Sequence, residues 1–525
     1  MHRLILSICL GASLVLSALG AGKAEHVVII VWDGMRPDFI SSELTPTLHK
    51  LAQDGVRFAS HHPVYCSSTV VNCTALATGC YPAHSGIIAN SMYRPEINPD
   101  GPVGSQSTNA VRKGDALSGG HYLLRPTLVE TLREAGRSTA VAGAKDIVLL
   151  QDRREHQDES CSCANLYAGA ALPPSVLTAI TNHLGPFPAA ETNGPVIRRN
   201  EWTRRALTEV LWSTNVPAFS LLWLSEPDAS QHAAGVGSPR SLAAIRDSDR
   251  QLAAVLADLD KRGLREKTDV FVVSDHGFST IKEVVNVADV LRTNGFSACR
   301  KFESKPMPGD VLVVGQGGSV LFYVIGRDTT VIHKLVEFLQ QQPFSGVVFS
   351  TIETKGTFPL DKANINCPNP PDVVLSLRWS PEKSDTGVPG VFCSDSGKVS
   401  GGHHASLSRF DMHNTLVAAG PDFRKGFTDD LPSANTDLAP TVLWLLDVKP
   451  RVAMDGRVLG EALNVDAPQP GRAVVHKLEA SRQIKDVRWH QYLQTSRVGN
   501  TVYLDEGNGG VSPDKGKQGG FLPSP

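Results

Sequence analysis

Residues 26–34 read HVVIIVWDG, a β-branched run that ends directly in Asp33-Gly34. A run of this length and character is a strand buried on both faces, the mark of a parallel sheet. Its carboxylate then stands at the carboxyl end of a central strand, where open α/β sheets gather their ligands. Asp-Gly also initiates turns, so the reading needs support from elsewhere. Residues 217–224 (PAFSLLWL) run into SEPDASQH, and 269–273 (DVFVV) run into Ser274-Asp275-His276-Gly277. Three buried strands thus each lead into an aspartate, and two of the three have a histidine nearby. Asp228 and His232 are four apart, which on a helical turn places both on one face with good reach for a divalent metal.

A second stretch, 66–90 (CSSTVVNCTALATGCYPAHSGIIAN), reads as a short helix that closes at Gly79, with Ser67, Ser68 and Thr69 in its first turn. Unpaired N–H groups and the positive end of the dipole would face whatever lies beside those hydroxyls, which suits an anion. Ser and Thr are also ordinary N-caps, and the stretch alone does not separate the two readings. Lys145 follows a strand read at 138–144; its two readings are a contact with an anionic substrate and, preferred, a solvated loop lysine.

The chain has 525 residues, 41% hydrophobic and 20% charged, enough for one large domain with excursions or for two domains. A net charge of −2 gives no basic surface for nucleic acid. Arg3, an apolar run from Leu4 to Leu19 and the small residues Ala18, Gly20, Ala21 and Ala24 have the layout of a secretory signal peptide over 1–24, cleaved near Gly20 or Ala24. No later stretch is long and apolar enough to span a bilayer. The expected location is therefore secreted or periplasmic. Nine cysteines leave eight after cleavage, an even number for an oxidising compartment. Cys161 and Cys163, and Cys367 and Cys393, are the better placed for staples.

Further along, 91–118 is polar and rich in Gly, Pro and Asn, a long loop near the site, while 240–262 is the clearest amphipathic helix. Residues 283–400 change character and form a smaller α+β cap or insertion, with a helix at 330–341 and little periodicity after 356. The core thus comprises 25–282 and 401–465. The extension 466–525 carries a hairpin about Gly499-Asn500.

Asp33, Asp228, His232, Asp275, His276 and the pair His403/His404, with no Cys motif, suit zinc or a similar borderline ion. So many ligands exceed one open tetrahedral site. Two cations about 3.5 to 4 Å apart fit better, the arrangement for an in-line displacement at phosphorus. Thr69, acidified beside one of them, is the candidate nucleophile, and Asn90 a candidate donor to the phosphoryl oxygen.

The order strand-Asp33, Thr69, Thr78-Gly79-x-Tyr81-Pro82, EPDxxxH, SDHG and a late histidine resembles the alkaline phosphatase superfamily, most closely its type I phosphodiesterases and nucleotide pyrophosphatases. The resemblance spans about 26–460 and implies a three-layer sandwich around a mostly parallel sheet. It implies two zinc ions, one held by Asp33, Thr69, Asp275 and His276 and the other by Asp228, His232 and the late histidine. It further implies a phosphorylated Thr69 intermediate, Asn90 as oxyanion partner and a small-molecule phosphoester as substrate.

The family carries Gly after the late histidine. Here Gly401-Gly402-His403-His404-Ala405 leaves two registers; His404, with Ala405 in the glycine's place, is preferred, and His403 is the alternative. Val70 stands where nucleotide pyrophosphatases have an aromatic, so a nucleotide substrate is not implied. Cys66 lies too early for the modified cysteine of sulfatases. Rival readings are a phosphonate or phosphomonoester hydrolase and, from another class, a non-catalytic secreted binding protein stabilised by metals.

Overall fold

The strand His26–Trp32 lies in the middle of a nine-stranded sheet because every residue from Val27 to Trp32 is apolar and buried, leaving neither face for water. In the computed structural model, which describes residues 22–153, 163–191 and 194–513, this strand pairs in parallel with Thr268–Val273 on one side and Phe219–Leu224 on the other. Thr139–Gly143 and Cys163–Tyr167 extend the parallel portion. Leu416–Ala419 joins Thr268–Val273 antiparallel, then Val56–Phe58 and Phe427–Asp429 complete that edge, and Ala170–Leu172 closes the other.

Alternate residues of the central strand feed two separate cores. Val27, Ile29 and Val31 pack with Val70, Cys73 and Leu76 of the helix Thr69–Thr78. Val28, Ile30 and Trp32 pack with Leu48 and Leu51 of Pro46–Asp54 and with Ile245, Leu252 and Val255 of Pro239–Lys261. Helices therefore cover both faces, giving the expected three-layer α/β sandwich.

A six-stranded sheet has Ala298–Cys299 at one edge, Phe358–Pro359 at the other and Val373–Leu377 inside it, with the helix Thr329–Leu339 packed on it. A four-stranded sheet links it to the main body through Ser279–Val284, Trp379–Lys383, Pro389–Ser394 and Gly402–His403. Within the stretch of little periodicity after 356, Val373–Leu377 is a strand buried throughout. The expected loop at 91–118 is corrected. Thr108–Ser118 is a helix whose Gly114 admits the Tyr122 ring, an added Cβ falling 2.3 Å from it.

The anticipated hairpin, Val487–Val498 and Thr501–Pro513, carries a third antiparallel strand, Val474–Ile484. Tyr503 Oη donates to Asp437 Oδ2 at 3.0 Å and accepts from Arg457 Nε at 2.8 Å, joining this sheet to the body. Tyr81, just past the helix Thr69–Thr78, donates through Oη to the Val502 carbonyl at 2.7 Å and accepts from Val502 N at 3.0 Å.

The staple expected at Cys367 and Cys393 is not formed. Among the described residues Cys66, Cys73, Cys80, Cys163, Cys299, Cys367 and Cys393 are free thiols; Cys161 and the leader segment 1–21 lie outside those residues. Cys73 and Cys367 are buried in the same apolar core as the sheet, where each packs as a small hydrophobe. Among the described residues no helix is long and apolar enough to cross a membrane.

Tyr503→Phe strips Asp437 and Arg457 of a buried partner. A loss of about 1–3 kcal/mol, read as a lower denaturant midpoint at unchanged slope, is the expected outcome.

Candidate metal centre

The carboxyl edge of the parallel strands brings the sequence-predicted residues together. Asp33 follows the central strand, Asp275 and His276 follow Thr268–Val273, and Asp228 opens the short helix Asp228–Ala234 that carries His232 one turn later. His404 follows the strand Gly402–His403. His276 Nε2 lies 3.3 Å from Asp275 Oδ2, 3.6 Å from Asp33 Oδ1 and 4.0 Å from Asp228 Oδ1. His232 Nε2 and His404 Nε2 lie 3.2 and 3.7 Å from Asp228 Oδ1. The His276 and His404 rings stack at 3.7 Å.

Thr69 begins its helix, and its hydroxyl donates to His276 Nε2 at 3.1 Å. The N-cap reading of this turn does not apply. Ser68 occupies the cap position but makes no capping bond, and Ser67 Oγ donates instead to the Ser406 carbonyl at 2.8 Å. Asn90 Oδ1 accepts from Val70 N at 2.9 Å, which leaves its amide N–H groups for another acceptor. Gln316 fixes the neighbouring residue twice, accepting from Ser91 N at 3.3 Å and donating to its carbonyl at 2.9 Å.

Each acid uses one oxygen on the protein and keeps the other bare. Asp33 Oδ2 accepts from Trp223 Nε1 at 2.8 Å, and Asp275 Oδ1 accepts from Gly34 N at 2.9 Å. Asp33 Oδ1, Asp228 Oδ1 and Asp275 Oδ2 are buried with no hydrogen-bond partner. Three of the histidines have matching polarity: His232, His276 and His404 direct Nδ1 to the carbonyls of Gly402, Gly277 and Ser67 at 3.0, 2.9 and 3.0 Å. An Nδ1–H held by a carbonyl leaves the Nε2 lone pair free for a cation. Orphaned oxygens and open Nε2 atoms together fit divalent cations. Ligand atoms within 4.8 Å of one another define the groups Asp33/Asp275/His276, Asp228/His276/His404 and His232/His403/His404.

Lys145 is the residue that sequence reasoning undervalued. It is no solvated loop lysine: its Nζ lies 2.8 Å from Asp33 Oδ2 and 2.7 Å from Asp228 Oδ2. Its place after a buried strand was the available signal, and Thr139–Gly143 beside Phe219–Leu224 delivers it to the shared edge. Burial works to raise the Asp228 carboxyl, but Lys145 and His232 outweigh it and hold the group well below the ordinary range. Burial and the neighbouring Asp275 charge push Asp33 up to about 8, and burial pushes Asp275 up to about 7. One ammonium therefore does not offset three buried acids, and the pocket has room for more positive charge.

Ala405 has φ +77, a conformation that glycine adopts freely and L residues rarely do.

Fold and site together define an α/β protein with candidate divalent-cation groups at the carboxyl edge of its sheet. Residues 27–375 match the family described as type I phosphodiesterase / nucleotide pyrophosphatase, and the chain belongs to that family. It is 22% identical over 445 residues to a venom phosphodiesterase of Naja atra, covering 81% of this chain and 44% of that one. It is 24% identical over 263 residues to a bis(5'-adenosyl)-triphosphatase of Mus musculus, covering 49% of this chain and 48% of that one. The chain thus spans less than half the length of these relatives. Murine ectonucleotide pyrophosphatase / phosphodiesterase 5 in complex with AMP matches with a TM-score of 0.59 at 19% identity, over 84% of this chain and 100% of that one.

Lys145→Met leaves two buried carboxylates without their shared counter-ion. Chelator-treated protein is expected to lose about 3–5 kcal/mol and zinc-loaded protein less, so that the gap between their melting temperatures widens.

Proposed function

We propose that this chain hydrolyses phosphate diesters through Thr69, with two divalent cations, zinc by the mixed Asp/His donor set, held as the resemblance implies. Asp33, Thr69, Asp275 and His276 form one set, and Asp228, His232 and His404 the other. The observation that carries this reading is the Thr69 hydroxyl, unspent on capping, at the N-terminus of a buried helix and 3.1 Å from His276 Nε2. A protein that used metals only for stability has no need of a hydroxyl there.

When bound, the cations supply Lewis acidity to the attacking and departing oxygens of an in-line displacement. Thr69 Oγ1 forms a bond to phosphorus as the ester P–O bond breaks, and the proton Thr69 gives up is matched by one taken up by the departing alcohol. Water then cleaves the Thr69 phosphoester and frees the residue. Asn90, oriented by the Val70 N–H, donates to a non-bridging oxygen, and the helix N-terminus adds its positive end. The AMP complex of the murine neighbour supports a nucleotide-like ester among the substrates. Val70 nevertheless removes the aromatic platform on which a base would stack.

Export from the cytoplasm is part of the proposal, supported by the leader-like run after Arg3. Asp422 binds the backbone N–H groups of Lys23 and Ala24 at 2.6 and 2.9 Å, which favours cleavage near Gly20 over cleavage at Ala24. Mass spectrometry of exported protein is expected to find Lys23 retained; a mature chain starting at Glu25 overturns that choice.

The decisive assay compares bis(p-nitrophenyl) phosphate with p-nitrophenyl phosphate. Turnover of the diester is expected to exceed that of the monoester, to vanish with chelator and to fall on the order of 10³-fold or more in Thr69→Ala. Undiminished turnover by Thr69→Ala refutes the nucleophile, and a preference for the monoester refutes the diester assignment.

A further inference from the structure

His403 breaks the polarity shared by its neighbours. The His404 backbone N–H donates to His403 Nδ1 at 2.9 Å, so this nitrogen is an acceptor and carries no proton. The ring is therefore neutral with its proton on Nε2, the reverse of His232, His276 and His404. To ligate through Nε2 it would have to shed a second proton or abandon its backbone bond. A cation is thus the wrong partner, whereas an oxygen that gains negative charge is the right one.

The surroundings hold the ring in this orientation. Gly317, at φ +84, lies so close that an added Cβ would fall 2.2 Å from His403 Nδ1. The His232 and His404 rings flank it at 4.6 and 5.0 Å, the former edge-on. Ring nitrogens of all three histidines lie within 4.8 Å of one another. Among the described residues His403 Nε2 has no hydrogen-bond partner.

In-line displacement places the departing oxygen opposite the attacking one. Thr69 and His276 belong to one proposed ligand set, and on the reading above the departing oxygen meets the other, Asp228, His232 and His404, whose two histidine rings His403 adjoins. We propose that His403 is a fixed Nε2–H donor to the leaving-group oxygen of the bound ester. The inference rests on the diesterase reading above. It makes the site suited to esters of poorly acidic alcohols, whose departing oxygen carries the most charge.

The experiment uses zinc-loaded wild type, His403→Ala and His403→Gln, with zinc per chain measured by elemental mass spectrometry. Rates are taken on methyl phosphodiesters whose leaving groups run from p-nitrophenol to simple phenols and alkyl alcohols. Both variants are expected to retain the wild-type zinc content. His403→Ala is expected to lose about 10- to 100-fold on the poorest leaving groups and only a few-fold on p-nitrophenol, steepening the dependence on leaving-group pKa, with partial recovery in His403→Gln. Zinc lost from His403→Ala makes the residue a ligand and overturns the proposal, as does an equal loss across the series or none. A wild type that cleaves no diester overturns the underlying functional reading, whereas an active wild type with a uniform loss in the variant overturns the His403 assignment alone.

Discussion

Repulsion among three buried carboxylates is the constraint around which this molecule is arranged. Asp33, Asp228 and Asp275 converge because their strands are parallel neighbours, so the sheet that stabilises the body also concentrates negative charge at one edge. Trp223, Gly34 and Lys145 each take one oxygen, and Lys145 bridges Asp33 to Asp228. The oxygens left over are fixed in place without partners. Buried acids in that state are destabilising until cations meet them, which ties the stability of the edge to its occupancy.

The central sheet and much of the ligand set are legible in the chain because each depends on short-range pattern. A buried parallel strand writes itself as a run such as HVVIIVW, and the carboxylate that ends it needs no tertiary knowledge to be placed. The helix that Gly79 closes is legible for the same reason, with Ser67, Ser68 and Thr69 at its start, though only the structure makes Thr69 its first residue. Lys145 was not, since nothing near it in sequence announces Asp33 and Asp228 as partners. The helix Thr108–Ser118 was hidden by its polar composition. The opposite polarity of His403 Nδ1, which accepts from a backbone N–H, and His404 Nδ1, which faces a carbonyl, is something a string of letters does not carry.

The region between the halves of the main sheet does more than decorate it. The turn joining Val311–Gly315 to Ser319–Val324 sets Gln316 against Ser91, next to Asn90, and sets Gly317 against His403. Gly318 N also donates to the His404 carbonyl at 2.9 Å. One three-residue turn therefore braces the candidate oxyanion donor Asn90, the candidate leaving-group donor His403 and the candidate ligand His404 together. Variation in this turn, with the ligands unchanged, is a direct route to altered selectivity within the same fold.

The bond between Tyr81 and Val502 bears on how the chain is made. Tyr81 follows the helix that begins with Thr69, yet its partner is synthesised 421 residues later. The ribosome releases the helix that begins with Thr69 long before the strand that anchors its far end, and the last candidate ligand, His404, also emerges late. A nascent chain consequently carries its acids unassembled for most of its synthesis, and prematurely terminated products lack part of the edge at which those acids converge.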